Sequence, residues 1–238
     1  WLLQNGLTQT HQNNMGAFGG PDIVDDGLIF AIDAGSERSY PGSGTTVNNL
    51  VGSNTGSLIN GVGFSTDNGG TWDLDGTDDH ISMGSLNLQQ SWTLEIWVNM
   101  DSDSAFGLFG QGGYTPGGGL HIFYTNGSRG MIFGMYANDN DYGNNYRPSP
   151  ATGAWYHWVF TYDVSTYNKQ FYADSVLQTP TSAVSTVYSG TGQFNIGAAY
   201  SYATAPANGK IAVSRFYNKV LTSAEILQNY NAQKNRFI

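Results

Sequence analysis

From residue 27 onward the chain alternates short hydrophobic runs with clusters of Gly, Asn, Ser and Asp. The most regular run is Trp92–Met100. There Trp92, Leu94, Ile96, Val98 and Met100 alternate with Thr93, Glu95, Trp97 and Asn99. A period of two predicts a strand with one wholly apolar face. Trp155–Tyr162 is aromatic on both faces, with Tyr156, Trp158 and Phe160 set against Trp155, His157 and Val159. That pattern predicts a central strand in a stack of two sheets. Gly27–Asp33 predicts a strand with Leu28, Phe30 and Ile32 on one face and Ile29 and Ala31 on the other. Further strands are predicted at Thr71–Leu74, His80–Met83, Leu108–Gln111, Leu120–Tyr124 and Met131–Tyr136. Gln170–Ala173, Phe194–Gly197 and Lys210–Tyr217 complete the set. About a dozen strands separated by turn residues predict one all-β sandwich, not two domains.

A single helix is predicted near the end. Thr222-Ser-Ala-Glu225 is a capping box, with Leu221 and Ile226 placed as its hydrophobic staple. Ile226, Leu227 and Tyr230 then form one apolar stripe for docking on the sandwich. Residues 1–26 differ from the rest: apolar Trp1–Leu3, polar Gln4–Asn14, then Met15–Asp26 rich in Gly and Asp. They read as an extension, either an arm ordered against a neighbouring subunit or a flexible leader. The domain proper is 27–238.

Composition narrows the classes. Aromatics at 14% and charged residues at 11% exclude a disordered chain. Without cysteine there are no disulfides, thiolate zinc sites or thiol nucleophiles. A net charge of −9 repels a phosphate backbone, so no nucleic-acid partner is expected. Lys210, Arg215, Lys219, Lys234 and Arg236 gather late in the chain, but apolar positions interrupt them, and they read as a solvated face. No apolar run reaches the roughly 18 residues of a membrane span, so no membrane insertion is expected.

A sandwich of this size invites comparison with glycanases, which need two carboxyl groups about 5–5.5 Å apart in the retaining case. Glu95 is the obvious candidate, but its same-face neighbours are Trp97 and Asn99, so no partner carboxylate stands beside it. Hydrolase, zinc-protease and phosphate-loop signatures are absent, and no catalytic residue is assigned. His157, among aromatics, reads as a packed sheet histidine.

Asp73-Leu-Asp75-Gly-Thr-Asp78-Asp79 crowds four carboxylates around a glycine turn. A calcium ion would relieve their repulsion, with Asp33, Asp75, Asp78 and Asp79 as ligands. The alternative is a plain turn whose aspartates accept backbone N–H groups. Asp139-Asn-Asp141-Tyr-Gly-Asn144 is a second, weaker calcium candidate. Three insertions, 112–119, 137–150 and 198–208, are rich in Gly, Asn and Tyr. Tyr114, Tyr136, Tyr142, Tyr146, Tyr200 and Tyr202 offer flat rings beside amides, a surface for sugars or for neighbouring subunits.

Several segments resemble laminin-G-like domains: Gly27-Leu-Ile-Phe-Ala-Ile-Asp-Ala-Gly35, Leu58-Ile-Asn-Gly61 and Asp75-Gly-Thr-Asp-Asp-His-Ile81. Ser91-Trp-Thr-Leu-Glu-Ile-Trp-Val98, Trp155-Tyr-His-Trp-Val-Phe-Thr-Tyr162 and Gly209–Asn218 followed by Leu221–Tyr230 continue the match in order. The resemblance implies a concanavalin A-like jelly roll of two antiparallel sheets. Members of the wider family often hold one calcium at a sheet edge. Ser39-Tyr-Pro-Gly-Ser-Gly-Thr-Thr46 and the ending Asn229-Tyr-Asn-Ala-Gln-Lys-Asn-Arg-Phe237 are similar to domains of tailed-bacteriophage structural proteins. That likeness implies a non-enzymatic virion-surface protein. Its expected partners are host surface polysaccharide, other virion proteins through the N-terminal arm, and further copies of itself. A purely structural decoration or filament subunit, or a secreted cellular adhesin, is the alternative.

Overall fold

The computed structural model describes residues 22–143, 151–200 and 204–238. In chain order the strands are β1 (Leu28–Asp33), β2 (Thr46–Asn48), β3 (Thr55–Ile59), β4 (Gly63–Ser65), β5 (Thr71–Asp75) and β6 (His80–Ser82). Then follow β7 (Trp92–Met100), β8 (Phe106–Gly112), β9 (Gly119–Tyr124), β10 (Met131–Met135) and β11 (Asp139–Asp141). The rest are β12 (Trp155–Asp163), β13 (Asn168–Ala173), β14 (Val176–Leu177), β15 (Asn195–Ile196) and β16 (Asn208–Tyr217). One helix, α1 (Ser223–Phe237), ends the chain.

Two antiparallel eight-stranded sheets result. The front sheet runs β14-β13-β12-β7-β16-β5-β4, with β1 also on β16; the back sheet runs β11-β10-β9-β8-β15-β6-β3-β2. This is the all-β sandwich expected from the strand pattern and the jelly roll implied by the family resemblance. Every residue of β7 is buried, because its apolar face enters the core and its other face lies beneath α1. The sheets meet through aromatic rings: Phe160 of β12 packs edge-on against Phe109 of β8 and Phe133 of β10. Burying such a side chain contributes roughly 1.5–3 kcal/mol.

The helix starts where the capping box places it. The Thr222 hydroxyl accepts from the Glu225 N–H, and the Glu225 carboxylate accepts from the Thr222 N–H. Leu221 and Ile226 are buried together as the staple. The docking stripe holds at Ile226 and at Tyr230, whose ring stacks on Trp97, and differs at Leu227. Leu227 is 46% exposed, while Ile226, Asn229 and Phe237 are buried. The bound face is therefore partly polar, since Asn229 reaches through to the sheet below.

Two further differences have local causes. A register shift between Leu28 and Phe30 turns Leu28 to the outer face, against Val24 and Tyr217, while Phe30 and Ile32 enter the core. Asp22–Asp26 do not stand apart as an arm. The Val24 N–H donates to Asn229, the Val24 carbonyl accepts from Tyr217, and Asp26 pairs with Lys219. Residues 1–21 lie outside the described residues.

Glu95 is sealed beneath α1. Its carboxylate accepts from Arg215 and Asn229, and His157 Nε2 lies 2.9 Å from it. Burial opposes its charge, but Arg215 and His157 outweigh that and hold its pKa at about 2. Its distance from solvent makes Glu95 a structural charge.

Candidate functional site

Register on the back sheet builds the site. Gly110 of β8 pairs with His121 of β9, His121 with Gly134 of β10, and Gly134 with Asp139 of β11. These four residues form one row on the outer face, alternating small and large. A Cβ on Gly134 would stand 2.0 Å from His121 Nε2, so only glycine lets the imidazole lie across that strand. His121 Nδ1 donates to the Gly119 carbonyl, and Nε2 faces Asp139 Oδ1 at 2.9 Å. Asp139 and Asp141, two apart on β11, share one guanidinium. Arg129 donates to Asp141 through Nε and Nη2, and to Asp139 through Nη2. Burial works against the Asp139 charge, yet His121 and Arg129 hold its pKa at about 2.

A second loop lies over this row. A Cβ on Gly110 would fall 2.2 Å from the Tyr200 nitrogen, so the loop rests directly on the strand. Tyr200 is pinned by its backbone: its N–H donates to Leu120 and its carbonyl accepts from buried Asn195. Its ring stacks on His121, with centroids 4.7 Å apart at 22°. Tyr114 packs on the Tyr200 ring at 4.7 Å, and Tyr136 at 6.3 Å. Burial pushes the Tyr200 phenol pKa up. Between this loop and the β10–β11 turn lies a cleft of about 250 Å³, lined by His121, Arg129, Tyr136, Asp139, Tyr200 and Thr204 among others. Ala137, Tyr200 and Ala205, which also line it, all have positive φ (63°, 54° and 50°). Non-glycine residues in that region store strain and concentrate at binding sites.

The turn carrying Asp139 is braced from behind. Lys169 of β13, 3% exposed, donates through Nζ to the Asn138 and Phe133 carbonyls. Burial pulls its pKa down to about 8.

Of the tyrosines read from the sequence, Tyr114, Tyr136 and Tyr200 converge here. Tyr142 does not: it is 1% exposed, packs edge-on against Phe171 and donates to the Lys169 carbonyl, so it belongs to the core. Tyr146 and Tyr202 lie outside the described residues. The second calcium candidate is also corrected: Arg129 already bridges Asp139 and Asp141, and its remaining member, Asn144, lies outside the described residues. No sequence motif groups His121, Arg129 and Asp139; the pairing of β9, β10 and β11 brings them together. Glycines inside the apolar runs at 110 and 134 were the available signal.

The other acidic group does form. Asp75, Asp78 and Asp79 bring one carboxylate oxygen each within 4.8 Å of one another. Asp33 does not join them. Arg236 takes both of its oxygens, at 2.8 and 2.9 Å. Asp75 accepts from the Thr77 N–H and Asp79 Oδ2 from the Asp75 N–H, as a turn requires. Asp79 is 3% exposed, its Oδ1 has no hydrogen-bond partner, and burial pushes its pKa up.

Residues 75–227 match the family model described as concanavalin A-like lectin/glucanases superfamily. No curated protein sequence matches the chain. Among solved structures, domain 4 of AbnA, a GH43 extracellular arabinanase from Geobacillus stearothermophilus in complex with arabinotriose, aligns with TM-score 0.65 and 17% identity. That alignment covers 85% of this chain and 98% of that one. Trypanosoma rangeli sialidase in complex with the inhibitor DANA aligns with TM-score 0.64 and 15% identity, over 95% of this chain and 37% of the sialidase. The chain thus spans little more than a third of that protein. The receptor binding domain of botulinum neurotoxin C/D mosaic serotype gives TM-score 0.62 and 14% identity, covering 88% of this chain and 52% of that one. At these identities the likeness is one of fold.

Proposed function

The chain belongs to the concanavalin A-like lectin/glucanases superfamily, and on that premise we propose that it is a non-enzymatic glycan-binding protein whose site is the back-sheet cleft. One observation carries the reading: the strained, backbone-pinned Tyr200 held over His121 beside Tyr114 and Tyr136. Rings offered at a cleft mouth suit the apolar faces of sugars, and Asp139, Asp141 and Thr204 supply partners for hydroxyls. The relatives in complex with arabinotriose or bearing a receptor-binding domain accord with this.

The chemistry favours binding over hydrolysis. A glycosidase acid needs a raised pKa. Asp139 is held at about 2, and Glu95 is enclosed beneath the helix. The resemblance of the opening and closing segments to phage structural proteins supports display in many copies on a virion surface, where avidity multiplies weak sites on a host polysaccharide. Calcium at Asp75, Asp78 and Asp79 belongs to the same proposal, supported by the unpartnered buried oxygen of Asp79.

A glycan array probed with the purified chain tests the binding role. Wild type is expected to bind, and Tyr200→Ala to lose the signal with its melting temperature little changed. No signal above background from wild type ends the proposal. For calcium, a chelator is expected to lower the melting temperature and added calcium to restore it; an unmoved transition removes the ion.

A further inference from the structure

Resting on the glycan-binding reading, we infer that the ligand is an uncharged oligosaccharide that continues from the cleft across Tyr114 into a second hollow. This hollow, of about 440 Å³, lies between the 113–118 turn and the 189–191 segment, and Tyr114 lines it. Tyr114 is 52% exposed. Its ring contacts Tyr200 and Tyr136, which line the cleft. The two concavities therefore share one aromatic wall. Their backbones are tied together as well: Gly117 N–H donates to the Tyr136 carbonyl, and Ser189 N–H donates to the Gly117 carbonyl. A ligand in one concavity thus meets a preformed second one, not a loop that must still be ordered.

The preference for uncharged ligands rests on how the cations of the described residues are spent; Arg147 lies outside them. Among the described residues, Arg129, Lys210, Arg215, Lys219 and Arg236 are paired with carboxylates, and Lys169 is buried on two carbonyls. Arg38 lies between β1 and β2, at the opposite edge of the back sheet from the cleft, and Lys234 lies on α1. In the cleft, Arg129 stands between two aspartates, so an arriving carboxylate or sulfate would meet their repulsion. The second hollow has no charged lining residue. It presents the hydroxyls of Thr115, Ser189 and Thr191, all exposed and none with a hydrogen-bond partner among the described residues. A hydroxyl-lined pocket with an aromatic wall suits neutral sugar units.

The test uses the full chain and two probe sets. One is a length series of neutral glucose and arabinose oligosaccharides, from one to four units. The other is a matched series of uronic acid oligosaccharides. We expect neutral binding to tighten about tenfold or more from one to three units, and the uronates to bind at least tenfold more weakly. In a Ser189→Ala/Thr191→Val variant the gain with length should fall to about threefold or less. Uronates binding as well as neutral chains, or affinity independent of length, would overturn this inference and leave the glycan reading standing. A length gain untouched in the double variant would overturn the second hollow. No binding by any probe, together with a blank array, would remove both.

Discussion

Replacing Lys169 with methionine isolates the brace behind the Asp139 turn. The amine crosses from the front sheet to two back-sheet carbonyls and is almost wholly buried. A lysine in the unfolded chain titrates near 10.5, whereas burial holds the folded one at about 8. Between those values the unfolded state keeps a proton that the folded state has released. Stability therefore rises with pH across the window, and the contribution is lost as pH falls through the folded value. Integrating the linkage relation from about pH 7.5 to about pH 9.5 gives a wild-type gain of roughly 2 kcal/mol. Lys169→Met has no proton to release, and methionine keeps nearly the same volume. Urea unfolding of both proteins at the two pH values reads the effect. The wild-type increment should exceed the variant's by about 2 kcal/mol. Equal increments, within about 0.5 kcal/mol, would mean that burial does not perturb this amine, and the bracing argument would fail.

Other substitutions separate the cleft from its supports. Gly134→Ala places a Cβ 2.0 Å from His121 Nε2; array binding should be lost by displacement of the imidazole, and retained binding would contradict the row geometry. Tyr142→Ala should cost about 3 kcal/mol or more by emptying a buried aromatic position, measured by chemical denaturation; a surface role would leave stability unchanged. Glu95→Gln leaves Arg215 buried without its anion and should cost roughly 3–5 kcal/mol, with thermal unfolding as the readout. Because the Glu95 pKa is held at about 2, its contribution is complete above the usual glutamate value of about 4.3 and lost as pH falls toward the folded one. The variant's acid-unfolding curve should accordingly be flatter there than wild type's.

The strands that alternate over long stretches were legible because burial leaves a continuous record in sequence. β7 and β12 are covered on both sides, so one face of each is wholly apolar or aromatic and the other sets large rings such as Trp97 and Trp155 among its polar residues. β2, β4, β11 and β14 are two or three residues long, and no periodicity can be read from so few positions. β11 is Asp-Asn-Asp, a strand only because β10 and Arg129 hold it there. Leu28 was misplaced because a single register shift inverts the face of every residue before it. In the cleft, composition pointed to Tyr114, Tyr136 and Tyr200. It could not reveal His121 facing Asp139, which depends on three strands pairing in register. Asp33 joins the calcium candidates only if β1 and β5 lie side by side, but both pair with β16, and its partner, Arg236, arrives from the far end of the chain.

β16 lies between β7 on one side and β5 and β1 on the other, yet it comes from residues 208–217. During synthesis the first strand must therefore wait for about 180 further residues, from Leu28 to Asn208, before its neighbour exists. Until then the flanks of β7 and β5 are open edges, and such edges attract wrong partners. Insertion of β16 thus completes pairings with β1, β5 and β7 together, and α1, made immediately afterwards, lies across the outer surface of the strands it joins. A ribosome stalled before residue 208 would hold a front sheet divided along its middle.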